Sequence, residues 1–326
     1  MISLLASGTE IVCALGAGDM LIGRSHECDN PDWVRSLPVC TKPAFDVSVS
    51  SAQIDAEVRR RLKAGEPLYH VDTDLIRELK PDLLITQAHC QVCAVTPGDM
   101  QRAGCGALAQ QVLALTAGSV DGIYAGAMAL AEALQRPQAG TKLVAAMRSR
   151  MNAITEAVSG RPAPSVVMLE WTAPIFSMGN WGPELVEAAN GRTLLGDKGQ
   201  HSQAIPWERV RHADPDYLII APCGFDLPRT RREIPTLEAL PGWSSLAAVQ
   251  SGRVALADGN KYFNRSGTTI VETVEIIAEI LHGDHVKTHW RGTAWVGAHG
   301  VCPPDVGWYG RHAAGHTAVS PYTDFP

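Results

Sequence analysis

No run of about eighteen consecutive apolar residues interrupts the 326-residue chain, which excludes a membrane-spanning helix of ordinary length. The opening lacks the basic stretch and apolar core of a secretion signal: Met1-Ile2-Ser3-Leu4-Leu5 leads at once to Thr9-Glu10. On that reading the protein is cytoplasmic, and periplasmic only if a leader has been trimmed. Neither sign of charge is in large excess, the net charge being −6, so nucleic acid and anionic membrane surfaces are not expected partners. Low-complexity segments and short-period repeats are absent, which removes solenoids and arrays. There is also no phosphate loop, no nucleophile motif and no His-Glu-x-x-His pair. An enzyme, with Glu27 or Glu170 as base and a cysteine nucleophile, is therefore the weakest expectation.

What is present suits two domains of ordinary size, each long enough to bury its own core. Eight cysteines are spread along the chain, and a protein of this length needs no disulfide framework. Cys13 and Cys105 read as core residues. The run Arg59-Arg60-Arg61 reads as the solvated face of an amphipathic helix.

Short buried-strand patterns alternate with helical spacing. Ile2–Ala6, Leu21–Ser25, Asp82–Thr86 and Gln111–Leu115 are predicted strands; Gly8–Leu15, Ser51–Leu62 and Asp72–Leu79 are predicted helices. Lys80-Pro81 stops a helix and launches a strand. Residues 119–160 carry no strand signal and read as one long connecting helical region, with an interruption near Pro137. The alternation restarts with strands at Ser165–Leu169, Tyr217–Ala221 and Arg253–Ala257, and helices at Pro183–Ala189 and Val271–Leu281. The predicted fold is α/β: two Rossmann-like lobes with parallel sheets, 1–118 and 161–283, joined by one long backbone helix. Residues 284–326, rich in Trp, Gly and His, read as an irregular tail.

Ligands of parallel α/β sheets sit beyond the carboxyl ends of strands, and the unusual residues gather there. Ser7-Gly8-Thr9-Glu10 follows the first strand, as a ligand-binding helix start, an N-cap, or both. Arg24-Ser25-His26-Glu27-Cys28-Asp29 follows the second. Gln87-Ala88-His89-Cys90-Gln91-Val92-Cys93 follows the third, and its Cys-x-x-Cys beside a histidine has the spacing of a soft-metal or redox site. A zinc site would need two more ligands, from His26, Cys28 or Cys223. In the second half the corresponding positions are Glu170-Trp171, Asn180-Trp181, His201, Cys223 with Phe225, and Asn260, Tyr262, Phe263 and Arg265. The aromatic residues suit either a wide flat ligand or the plug of a small sheet.

Residues 3–16 (Ser3-Leu4-Leu5-Ala6-Ser7-Gly8-Thr9-Glu10 to Gly16) and Leu21–Asp29 resemble the opening of the helical-backbone periplasmic binding proteins. Lys80-Pro81-Asp82-Leu83-Leu84-Ile85, Asp214-Pro215-Asp216-Tyr217-Leu218-Ile219 and Gly242-Trp243 to Val254 extend the resemblance over residues 1–282. The nearest branch is the cobalamin-binding one. The resemblance implies two lobes on a long helix, little hinge motion, and a small-molecule ligand carried to an ABC-type permease. That ligand would be a metal chelate held in the cleft, a corrinoid (cobalamin) before others. Trp171, Trp181, Tyr262 and Phe263 would then lie on the macrocycle, with His26, His89 or His201 as axial donor. The alternative is a cytosolic zinc-like site built from Cys28, His89, Cys90, Cys93 and Cys223. A monomer or weak dimer is expected.

Overall fold

The computed structural model describes residues 1–88, 90, 92, 94–104, 109–286 and 288–298; His89, Cys93, Cys105 and residues 299–326 of the expected tail lie outside the described residues.

The N-terminal lobe runs β1 (Ile2–Ser3), α1 (Ala6–Ala14), β2 (Gly23–Arg24), β3 (Thr41–Pro43), α2 (Ser51–Ala64), β4 (Tyr69–Val71), α3 (Thr73–Leu79), β5 (Leu83–Gln87), α4 (Pro97–Arg102) and β6 (Gln111–Leu115). Four strands form a parallel sheet in the order β2-β1-β5-β6. β3 and β4 pair antiparallel beside it. Every residue of Leu83–Gln87 is buried, as a central parallel strand covered on both faces requires.

α5 (Val120–Ala133) and α6 (Pro137–Val158) follow. Ser119 caps α5 by accepting the Gly122 N–H, and Pro137 opens α6 where its missing N–H costs nothing. The two helices pack antiparallel: Gly140 lies so close to Ala131 that a Cβ there would stand 2.5 Å from the Ala131 Cβ, and Arg148 reaches back to Asp121. The break expected near Pro137 therefore falls at Leu134–Arg136, and only the second helix spans the lobes. α6 starts where Arg136 bonds the Gly16 carbonyl (2.7 Å) and ends where Asn190 bonds the Val158 carbonyl (3.0 Å). At 1.5 Å per residue it is about 33 Å long.

The C-terminal lobe comprises β7 (Ser165–Thr172), β8 (Ile175–Ser177), α7 (Gly182–Ala188), β9 (Arg192–Leu195), β10 (Gln203–Ala204), α8 (Trp207–Ala213), β11 (Tyr217–Ile220), α9 (Leu227–Glu238), α10 (Ala247–Gln250), β12 (Val254–Ala257), α11 (Ile270–His282) and β13 (Trp295–Gly297). Its sheet is mixed rather than wholly parallel. β9, β7, β11 and β12 are parallel, while β8, β10 and β13 add antiparallel edges.

One device starts the core strand of each lobe. Lys80 (φ 48°) and Asp214 (φ 37°) take left-handed conformations that end α3 and α8, and the following proline forbids continuation. Asp216 then accepts the backbone N–H and hydroxyl of Ser165, tying β11 to β7.

The tail corrects the expectation of irregularity as far as residue 298. β13 pairs with β12, and the carboxylate of Glu279 on α11 accepts from Thr288, from the N–H groups of Trp290 and Arg291, and from the Trp295 indole. Four bonds to one charged acceptor hold the segment on the lobe. Among the described residues, no helix is long and apolar enough to cross a membrane.

Candidate functional site

The lobes meet along three polar seams. The first centres on Arg265, which is 5% exposed and belongs to the loop before α11. Its guanidinium reaches across to Glu10 (2.8 Å) and Asp29 (2.7 Å) of the N-terminal lobe. Asn30 and Thr269 also donate to the Glu10 carboxylate, Asn260 donates to Asp29, and Ser7 meets Ser266 at 3.4 Å. Burial pushes the Glu10 carboxyl up despite the arginine beside it. α1 can sit this deep because Gly8 has no side chain: a Cβ would come within 2.7 Å of Ile85. Ser7, Glu10, Asn260 and Arg265 are thus brought together, and Glu27 contributes its backbone carbonyl. Thr9 and Ser7 do not cap the helix, which begins at Ala6 with no side-chain cap.

The second seam joins Cys90 to the opposite lobe. Cys90 follows β5 and is held by the buried Gln87, whose amide donates to the Cys90 and Ala94 carbonyls. Its thiol hydrogen-bonds the His201 ring, whose Nδ1 lies 3.1 Å from the Ser202 carbonyl. Ser202 in turn donates to Glu170 (2.6 Å) and accepts the Gly179 N–H. Burial pushes the Glu170 carboxyl up to about 7, the bond from Ser202 offsetting only part of it. Burial alone would lower the His201 pKa, but the bonds to Cys90 and the Ser202 carbonyl hold it above its ordinary value.

The third seam joins Trp171 and Phe225, both expected from sequence, to residues with no sequence signal of a site. Glu233 on α9, 3% exposed, accepts from Ser51 of α2 (2.5 Å), from Thr172 (2.7 Å) and from Arg229 (2.7 Å). Arg229 also donates to the Val49 carbonyl of the other lobe. The indole N–H of Trp171 reaches the Ser51 carbonyl at 3.2 Å, and its ring tilts against Phe225 at 5.0 Å, with Arg229 over the other ring. The i,i+4 spacing of Arg229 and Glu233 was a legible helix pair, but nothing local points to a partner about 180 residues away.

Other expected site residues lie elsewhere. Trp181, Tyr262 and Phe263 are in the hydrophobic core, 4%, 8% and 0% exposed; the Trp181 indole donates to the Phe263 carbonyl, and Tyr262 packs edge-on against Trp290. They plug the C-terminal lobe instead of facing a ligand. Asn180 shapes a turn at φ 50°. His26 stays within its own lobe, bonded to Thr41 (2.7 Å) and tilted against the Tyr69 ring.

The thiols are separated as well. Cys28 is 0% exposed and accepts from Thr9, and burial pushes it up to about 11, Cys40 to about 11 and Cys13 to about 12. Cys223 is half-buried beside Glu170, its N–H bonding that residue's carbonyl. Among the described residues, no group of three or more His, Cys, Asp or Glu is placed to hold a metal ion, so the zinc alternative gains no support.

Two α/β lobes on a helical spine, meeting through buried polar residues at their strand ends, define a two-lobed binding protein. The sequence profile of periplasmic binding proteins matches residues 2–260, and the chain belongs to that family. No curated protein matches it. Three solved structures share the fold. A periplasmic heme binding protein from Pseudomonas aeruginosa has 19% identity and a TM-score of 0.64, over 87% of this chain and 92% of its own. A periplasmic vitamin B12 binding protein from Vibrio cholerae has 19% identity and a TM-score of 0.62, over 86% and 95%. An ABC transporter substrate-binding protein from Listeria monocytogenes has 18% identity and a TM-score of 0.65, over 87% and 98%.

Membership overturns the cytoplasmic placement read from the opening residues, because the family is periplasmic. The family is one of binding proteins, which does not favour the enzyme alternative.

Proposed function

We propose that this protein captures a metal chelate between its lobes and delivers it to an ABC-type permease. One observation carries the reading: chemically rich side chains from both lobes converge where the strand ends face each other, on a fold shared with heme and vitamin B12 binding proteins. The ligand would enter between the Cys90 loop and the Glu170–Trp171 strand end. Trp171, the half-buried aromatic of the mouth, would lie against it, and the three seams would set the separation of the lobes. His201 and the Cys90 thiol are a nitrogen and a sulfur donor beside that path.

Absorption titrations of the purified chain with cobalamin, haemin and a ferric siderophore test this. One of them should saturate at micromolar concentration or below, roughly −8 kcal/mol. Trp171→Ala should weaken that binding at least about tenfold with the unfolding midpoint nearly unchanged, as for a rigid aromatic anchor. Absence of saturable binding by all three would end the reading.

A further inference from the structure

A cavity of about 130 Å³ opens on the C-terminal lobe, walled by residues that include Ser177, Gly179, Asp197, His201, Gln203 and Arg209. His201 and Ser202 also border the second seam, so the cavity adjoins the lobe junction from the C-terminal side. Its volume accommodates several waters, and hence a small polar group on a short stem.

Three of the six polar side chains of the wall, His201, Ser202 and Gln203, are already engaged. The Ser202 hydroxyl serves Glu170 and the Gly179 N–H, and the Gln203 amide donates to the His201 carbonyl. Lys198, close in sequence, is turned away to Glu184 at 3.3 Å. Arg209 is the cation of the other three: among the described residues its guanidinium has no ion pair or hydrogen bond, the Ser177 hydroxyl and Asp197 carboxylate of the same wall have no side-chain hydrogen bond either, and Asp197 is not within ion-pair distance of Arg209. A permanently charged planar fork at a small concave site matches a carboxylate, which can take two parallel N–H···O bonds.

We propose that this cavity is a carboxylate subsite in which Arg209 holds an acidic substituent of the bound molecule. The assignment of that substituent to a metal chelate rests on the function proposed above; the subsite itself does not. The subsite favours ligands with free peripheral carboxylates over ones whose acids are amidated or esterified, because a neutral group leaves the guanidinium charge unmatched.

Saturation-transfer NMR on the full chain tests the subsite with propionate and with its neutral isostere propionamide. Propionate should saturate at millimolar concentration and propionamide should not. Arg209→Gln should lose propionate binding about tenfold or more, and Arg209→Lys should retain part of it, since lysine keeps the charge without the fork. Arg209 is exposed, so both variants should unfold at the wild-type midpoint. No saturable propionate signal, equal signals from propionamide, or an unchanged Arg209→Gln variant would each overturn the proposal. Haemin and its dimethyl ester extend the test to the chelate: Arg209→Gln should weaken haemin and leave the ester unaffected. If neither form binds while propionate still depends on Arg209, the subsite stands and the chelate reading fails.

Discussion

Arg265 places one positive charge between two carboxylates of the opposite lobe, with the arginine and Glu10 almost wholly out of water. Such a pair contributes little net stability, because desolvation offsets the attraction, but removing one partner leaves a buried charge uncompensated. Arg265→Met should therefore destabilise the protein by about 3–5 kcal/mol in urea unfolding, and adding Glu10→Gln should recover part of the loss. Glu170 makes a different demand. Its folded pKa of about 7 lies above the ordinary 4.5, so the folded state binds a proton more tightly than the unfolded one. The resulting stabilisation is full below pH 4.5 and is lost as pH rises through about 7. Stability measured from pH 4 to 8 should accordingly fall less steeply with pH in Glu170→Gln than in the wild type; parallel profiles would refute this environment for the carboxyl. Both Glu10 and Arg265 stood out in the sequence as polar residues beyond strand ends. Their pairing did not, since the contact spans 255 residues.

Glu279 illustrates how a helix can organise a neighbouring segment. It lies on α11, is 8% exposed, and its carboxylate collects the donors that fix residues 288–295 before β13. Glu279→Ala should release that segment, and amide exchange of Trp295–Gly297 should accelerate at least about tenfold while β7 and β11 stay protected. Unchanged exchange would mean that the β12–β13 pairing suffices alone. The element pattern was largely legible: β5, α3, β11 and α11 fall close to the expected positions because a buried strand or amphipathic helix writes its period locally. β13 was not, for an edge strand of three half-buried residues carries no periodic signal, and the donors that hold its approach are backbone N–H groups, a threonine hydroxyl and an indole.

For the whole molecule, the question is how far the lobes move on binding. α6 runs from one lobe to the other without internal proline or a glycine pair, so it resists kinking. The Arg265 seam lies beside this spine: α1 packs on α5, and α11 packs on α6. Opening should be confined to the Cys90 and Trp171 side. Small-angle scattering of free and ligand-saturated protein should give radii of gyration both near ~20 Å, the value for a compact chain of this length. A change of several ångströms would place a hinge at Leu134–Arg136, where the helical region breaks.

The amino-acid order determined what is local. Buried runs made the strands, Lys80-Pro81 and Asp214-Pro215 set where each lobe's core strand begins, and the polar residues after the strands marked one edge of each sheet as chemically special. Three-dimensional packing decided which of those residues face the other lobe. Trp171 and Trp181 look alike in sequence, ten residues apart and each beside polar neighbours. One reaches across to Ser51, and the other seals the core against Phe263. Ser51, Glu233 and Arg229 are unremarkable helix residues until α2 and α9 are brought together. The reason is physical: hydrogen bonding and hydrophobic period act over a few residues and leave a local trace, whereas charge pairing between lobes depends on distances that exist only once both cores have formed.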